Sequence, residues 1–238
     1  QEEHLTDFQY VWRKLSNIIN ECNPSNYEDY NNLLGRLSEL APWLNGEKAS
    51  SKRIFFAGKS EKSIYSKLLN KIDPDVKEII IGGAFFDSKM EFIKKVITNF
   101  NTKNVIIPID VNTVSLPPIA KDITGVSFVD ASHLAKYSKR YLHAKFIYIR
   151  EDKSNSRFIS GSANPSKPAW LNSDDQANTE CVCMIENEAA NTAIKQLGID
   201  ELIRSKKISK VDWDTINKNW DNNLPTEHED SFKIYPRK

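Results

Sequence analysis

Two unbroken apolar runs, Ile79-Ile80-Ile81 and Val105–Ile109, constrain this chain most. A strand with one wet face alternates apolar and polar residues, whereas a continuous apolar run is buried on both faces. Such strands need cover on both sides, which places the sheet between two helical layers. From residue 52 the pattern alternates between strand and helix. Arg53–Ala57 is a strand, and Ser60 with Ser63 opens a helix through about Lys71. Lys77–Gly82 is a strand ended by Gly82-Gly83, and Asp87-Ser88-Lys89 starts a helix to Phe100. Val105–Ile109 follows, then a poorer segment with Pro117-Pro118, then a strand over Val126–Val129. This order predicts an α/β fold with a mixed, mostly parallel sheet in an α/β/α sandwich.

The flanking segments differ. Tyr141–Arg150 and Arg157–Ser160 read as strands of a hairpin joined by the polar turn Glu151–Ser156. A loop over Gly161–Asn178, a strand over Thr179–Ile185 and a helix over Glu188–Leu197 follow. At the start, Leu5, Phe8, Trp12, Leu15, Ile18 and Ile19 recur at helical spacing, and Asn23-Pro24-Ser25-Asn26 breaks the pattern. A second helix over residues 27–41 ends near Pro42. Three parts are therefore expected: an N-terminal helical hairpin over residues 1–50, an α/β domain over 52–198, and a helical or irregular tail over 199–238.

Composition excludes several classes. The 238 residues are 39 % hydrophobic and 27 % charged, an ordinary globular balance. The net charge of +1 names no partner, so attraction to nucleic acid must come from a local patch. Ser132–Lys145 holds Lys136, Lys139, Arg140 and Lys145 with no Asp or Glu, and Tyr137 and Tyr141 are interleaved. This is either a solvated face or a strip that follows a phosphate backbone, joined by Lys167. No run of about 18 apolar residues exists to span a membrane. Gln1-Glu2-Glu3-His4 is unlike a secretory signal, and the missing initiator Met points to a processed product or an excerpt of a longer protein. Three cysteines, Cys22, Cys181 and Cys183, fit a reducing compartment, so a cytoplasmic location is expected. Cys181-Val182-Cys183 lacks a second Cys/His pair at zinc-site spacing, which favours core filling over a metal or redox site.

Chemistry concentrates in His143-Ala144-Lys145 and Gly161-Ser162-Ala163-Asn164-Pro165-Ser166. A histidine and a lysine two apart on a strand share a face. With the small-residue loop they supply a nucleophile, a fixed positive charge and neutral donors, the set that attack on a phosphodiester needs without a metal ion. Together with Asn178-Thr179-Glu180 and Gly83-Ala84-Phe85-Phe86-Asp87, these motifs resemble the phospholipase D superfamily over roughly residues 52–198. That family's signature is His-x-Lys-x4-Asp followed by Gly-Ser-x-Asn. Arg150 stands at the signature Asp, and Asp152 lies two positions later.

The resemblance implies a phospholipase D-like fold and a set of roles. His143 would attack phosphorus and form a phosphohistidine, with Glu180 orienting its ring. Lys145 and Asn164, with Ser162 through its hydroxyl or N–H, would hold the phosphate oxygens. No cofactor and no divalent metal are implied. A second histidine must protonate the leaving oxygen, and this chain has one motif. Either two copies pair about a two-fold axis, the favoured arrangement, or a longer parent supplies the other half. Trp170 is expected to pack under the loop rather than stack on a base, and His4, His133 and His228 to be surface residues.

The leading expectation is a metal-independent nuclease acting on DNA or RNA. The loop with its following Ala169-Trp170 resembles members linked to restriction, helicases and bacterial defence, which implies an ATPase or helicase partner. One alternative is a phospholipase or transphosphatidylase, which would want an apolar rim or an amphipathic surface helix. The other is an inactive dimerisation or nucleic-acid-binding module, for which Arg150 is the sequence support.

Overall fold

The structure, a computed structural model, describes residues 2–22, 26–46, 50–58, 61–102, 104–135, 144–152, 154–173, 175–204 and 211–223. Helices α1 (Glu2–Cys22) and α2 (Tyr27–Leu40) lead into a 3-10 turn at Pro42–Asn45. Strand β1 (Ile54–Ala57), helix α3 (Ile64–Lys67), β2 (Glu78–Gly82), α4 (Glu91–Asn99), β3 (Val105–Ile109) and β4 (Val126–Asp130) follow. The second half holds β5 (Phe146–Arg150), β6 (Ser156–Gly161), α5 (Lys167–Trp170), β7 (Glu180–Glu186), α6 (Asn187–Gln196), α7 (Ile199–Arg204) and α8 (Trp213–Asn223). Seven strands form one sheet in the order β1-β7-β6-β5-β2-β3-β4.

The apolar runs account for the layering. Ile79, Ile81, Val105, Ile107, Ile147 and Ile149 face one core, with Ile64 of α3, Phe92 of α4, Trp170 of α5 and Ile216 of α8. Ile80, Ile106, Phe146, Tyr148 and Phe158 face the other, with Ala190 and Ile194 of α6 and Ile199 and Leu202 of α7. Successive residues of a strand point to opposite faces, so each run fills both cores at once. This is the expected α/β/α sandwich with a mixed sheet.

Strand direction departs from expectation. Only β2–β3 and β3–β4 are parallel, and the other four pairings are antiparallel. A parallel neighbour needs a crossover, and α4 provides one between β2 and β3. Strands β5 and β6 instead form a hairpin, and β7 returns antiparallel to β6. A run buried on both faces thus reports helical cover, not strand direction. In the hairpin turn, the Asp152 carboxylate accepts from the backbone N–H groups of Asn155 and Ser154. Those bonds hold its pKa down at about 2.

Helices α1 and α8 both pack against strands of the sheet. Ile216 of α8 is fully buried, and Trp213 meets Phe128 edge-on at 5.3 Å. At the other end, Tyr10 of α1 meets Phe56 of β1 edge-on at 5.8 Å, and the Gln9 side-chain amide donates to the Trp43 carbonyl at 2.7 Å. Helix α2 buries none of its side chains, so Leu33 and Leu40 stay exposed. The cysteine pair does not fill a core as expected: Cys181 is half-buried and Cys183 exposed, opposite Phe56 and Ile54 of β1.

Trp170 is 2 % exposed and stacks on Phe92 at 5.1 Å, as a packing residue should. Its indole N–H is buried with no hydrogen-bond partner among the described residues. Truncating a core tryptophan removes a large contact area, so Trp170→Ala should destabilise the fold by about 3–5 kcal/mol in chemical denaturation. Trp170→Phe should cost clearly less, because it keeps the ring stack and removes an orphaned donor.

Candidate active site

The site lies where β5 begins, β6 ends and β7 begins. The Gly161 N–H reaches the Lys145 carbonyl at 3.4 Å, and Gly161 is paired with Val182. A side chain on Gly161 would put its Cβ 2.1 Å from the Cys181 carbonyl oxygen and 2.8 Å from the Val182 Cα. Both are backbone atoms that cannot swing aside, so only glycine lets β6 approach β7 this closely.

That approach orders the next residue. Ser162 donates its backbone N–H to the Cys181 carbonyl at 3.0 Å, and its hydroxyl accepts from the Cys181 N–H at 3.0 Å. The same hydroxyl donates to the Glu180 carboxylate through a very short hydrogen bond. The other Glu180 oxygen accepts from the Asn178 side-chain amide at 3.2 Å. Glu180 is 8 % exposed, and a buried carboxylate needs such partners. Ser162 thus has both donors committed within the fold and serves to position Glu180. Sequence reasoning quoted Asn178 within its motif and gave it no role; the hydrogen bond supplies one.

Lys145 is half-buried just before β5. Burial pushes its ammonium below the ordinary lysine range, and the Glu180 carboxylate pulls it partly back. A positive charge and an oriented carboxylate are therefore coupled at one end of the sheet. Burial likewise pushes the neighbouring Cys181 thiol up, so it stays protonated.

The loop after Ser162 is fixed from the side of β2. A Cβ on Gly83 would lie 2.3 Å from the Pro165 Cδ, so the Gly82-Gly83 end of β2 seats Pro165 directly. Asp87 accepts from the N–H groups of Glu91 (2.7 Å) and Phe92 (3.4 Å) at the start of α4, and from the Lys167 N–H (3.1 Å) at the start of α5. One carboxylate thereby ties two helix starts together, satisfying N–H groups that a helix leaves unpaired. The Lys167 ammonium pairs with Glu91 at 2.8 Å, which raises its pKa. In the same loop the Asn164 Oδ1 is buried with no hydrogen-bond partner among the described residues.

Of the residues singled out from sequence, Lys145, Ser162 and Glu180 meet at one end of the sheet, on a junction that leads directly into the Asn164 loop. Lys167 flanks it, its charge paired with Glu91. His143, Lys136, Lys139 and Arg140 lie outside the described residues. Arg150, at the position of the missing signature Asp, donates twice to Glu78 at 3.1 Å. It lies five residues along the chain from Lys145, about 16 Å away at the rise of a strand, so this departure does not touch the site. Among the described residues no group of three or more His, Cys, Asp or Glu side chains is placed to hold a metal ion.

The Lys145–Glu180 coupling has a measurable sign. Burial disfavours the ammonium and the Glu180 charge favours it. Lys145 should therefore titrate below a free lysine when its side-chain resonances are followed by NMR, and Glu180→Gln should lower its pKa further. An unchanged or raised value in that variant would place the two groups apart.

No family model matches the sequence, and no curated protein does. Among solved structures the chain is similar to NucT from Helicobacter pylori, at 18 % identity over 60 % of this chain and 88 % of that one, with a TM-score of 0.41. It is also similar to a phospholipase D family member, Nuc from Salmonella typhimurium, at 17 % identity over 63 % and 93 %, with a TM-score of 0.38. Yeast tyrosyl-DNA phosphodiesterase is similar at 16 % identity and a TM-score of 0.37; the match spans 69 % of this chain and 43 % of the yeast protein.

Proposed function

We propose that this protein is a metal-independent phosphodiester hydrolase that cleaves nucleic acid through a phosphohistidine. The observation that carries the reading is the buried Glu180 carboxylate, held by Ser162 and Asn178 and coupled to Lys145 where β5 and β7 begin. A carboxylate fixed this way, at the same end of the sheet as the start of β5, before which the chain holds a histidine, suits a partner that must carry positive charge during a reaction. The imidazole nitrogen of His143 attacks phosphorus, the bond to the leaving oxygen breaks, and Glu180 steadies the resulting imidazolium from the far ring nitrogen. Water then cleaves the P–N bond and regenerates the histidine. Lys145 neutralises charge on the non-bridging oxygens. Asn164 supports the same oxygens: its buried Oδ1 lacks a partner among the described residues, and rotation about its terminal torsion presents the NH2 in its place.

The leaving oxygen needs a proton, and His143 of a second copy is the proposed source. The apolar surface of the N-terminal helices supports an assembly: Phe8, Leu33, Leu40 and Trp43 are all more than half exposed. Grouped exposed apolar residues of this kind mark interaction surfaces more often than single ones do. No helix among the described residues is long and apolar enough to cross a membrane. A cytoplasmic enzyme of restriction or phage defence, working beside an ATPase or helicase, fits the sequence resemblance.

Two measurements test this. Incubation with plasmid, single-stranded DNA, RNA and phosphatidylcholine vesicles in EDTA should give nucleic-acid cleavage that His143→Ala abolishes. Lys145→Ala should cost about 100- to 1000-fold in rate. Lipid turnover without nucleic-acid cleavage, or cleavage intact in His143→Ala, would overturn the reading. Light scattering should find a dimer, and a strict monomer with full activity would remove the shared cleft.

A further inference from the structure

The face of the sheet that carries α6 holds a groove that the reaction above does not use. Its volume is about 480 Å³, within the range of roughly 300–1,000 Å³ usual for small-ligand sites. Phe146 of β5 and Phe158 of β6 line it from the sheet, and Ala193 and Leu197, in and just after α6, line it from the helix. The two phenylalanine rings stack on each other at 5.4 Å and are both buried, so this floor is apolar and fixed. Two neutral polar side chains complete the lining: Ser160 is half-buried, and Gln196, the last residue of α6, is exposed.

The groove borders the candidate active site along one backbone contact. Lys145 and Gly161 also line it, and the Gly161 N–H reaches the Lys145 carbonyl at 3.4 Å. Ser162, the next residue, holds Glu180. Phe146 belongs to the α6 core and Ile147 to the opposite one. Side chains alternate along a strand, so Lys145 falls on the Ile147 side. The groove and the Lys145 side chain therefore flank the same strand end, and a polynucleotide crossing that end meets both. Their chemistry divides a nucleotide between them. Apart from Lys145, the described residues lining the groove are uncharged, so a phosphate finds its cation at Lys145 and none further in. A flat ring with donors and acceptors along its edge matches the apolar floor, the Ser160 hydroxyl and the Gln196 amide.

We propose that this groove holds the base of a nucleotide flanking the scissile phosphate, with the Gln196 amide bonded to the base edge. This rests on the phosphodiesterase reading above and adds a base subsite to it. A glutamine amide donates and accepts at once, so it pairs with an edge that presents an acceptor beside a donor, as adenine does.

The test compares a single-stranded oligonucleotide with strands made abasic on the 5′ side or on the 3′ side of the cleaved phosphate. Removing the base on one of these sides should lower kcat/KM, and removing the other should matter little. Gln196→Leu should reduce the preference for the base-bearing strand by about 5- to 150-fold, the worth of a two-bond contact to a base edge. Ala193→Leu, which narrows the groove, should reduce it as well. Most of the change should lie in KM, because neither side chain touches the reacting atoms. Thermal melting checks folding; Gln196 is exposed, so its variant carries the test even if Ala193→Leu is unstable. A preference left intact in either folded variant, or an equal loss on base-bearing and abasic strands, would overturn the base subsite. Cleavage of no strand by the unsubstituted protein would remove the phosphodiesterase reading and this one together. Cleavage indifferent to both flanking bases would remove only this one.

Discussion

The close approach of β6 to β7 at Gly161 is the constraint on which the site depends. With a backbone carbonyl 2.1 Å from where a Cβ would sit, the strand pair tolerates no side chain there. That contact brings Ser162 onto the Cys181 peptide, which aims its hydroxyl at Glu180. A buried carboxylate is costly unless satisfied, and here two neutral side chains satisfy it while leaving its charge intact. The charge then acts on Lys145, which burial alone would push towards neutrality. A steric fact about one glycine thus becomes an electrostatic fact about a lysine beside the neighbouring strand.

The rest of the fold serves this junction by bracing the loop that leaves it. Asp87 binds the starts of α4 and α5 together, and Gly83 seats Pro165. Trp170 then locks the end of the loop into the core against Phe92. The loop is therefore held from β2, from α4 and from beneath, so its small residues keep their positions without bulky side chains of their own. Such bracing is what a site needs if its donors are to be in place before a charged transition state forms.

Much of this was legible beforehand because it follows from local pattern. Ile79-Ile80-Ile81 and Val105–Ile109 announced a sheet covered on both faces, and both cores are built from their alternate residues. Ser63, a helix opener by its place in the sequence, caps α3 by accepting the Ser66 N–H. The direction of the strands was not legible, since burial on two faces depends on helical cover and is blind to chain polarity. The role of Ser162 was also hidden. A serine in a small-residue loop offers a hydroxyl and an N–H to any ligand, and only the β7 backbone beside it shows that both are already engaged.

Residue types and their periodicity alone determined that the chain builds an α/β sheet covered on both faces, which follows from hydrophobic burial. The choice of His143, Lys145, Asn164 and Glu180 as the proposed site came instead from the order of motifs that resemble a known family. Tertiary structure alone decided which groups remain available once the chain is folded. It committed Ser162 and Asn178 to Glu180, Lys167 to Glu91 and Arg150 to Glu78. Hydrogen-bond partners and exposure depend on residues far apart in sequence, so no local pattern specifies them.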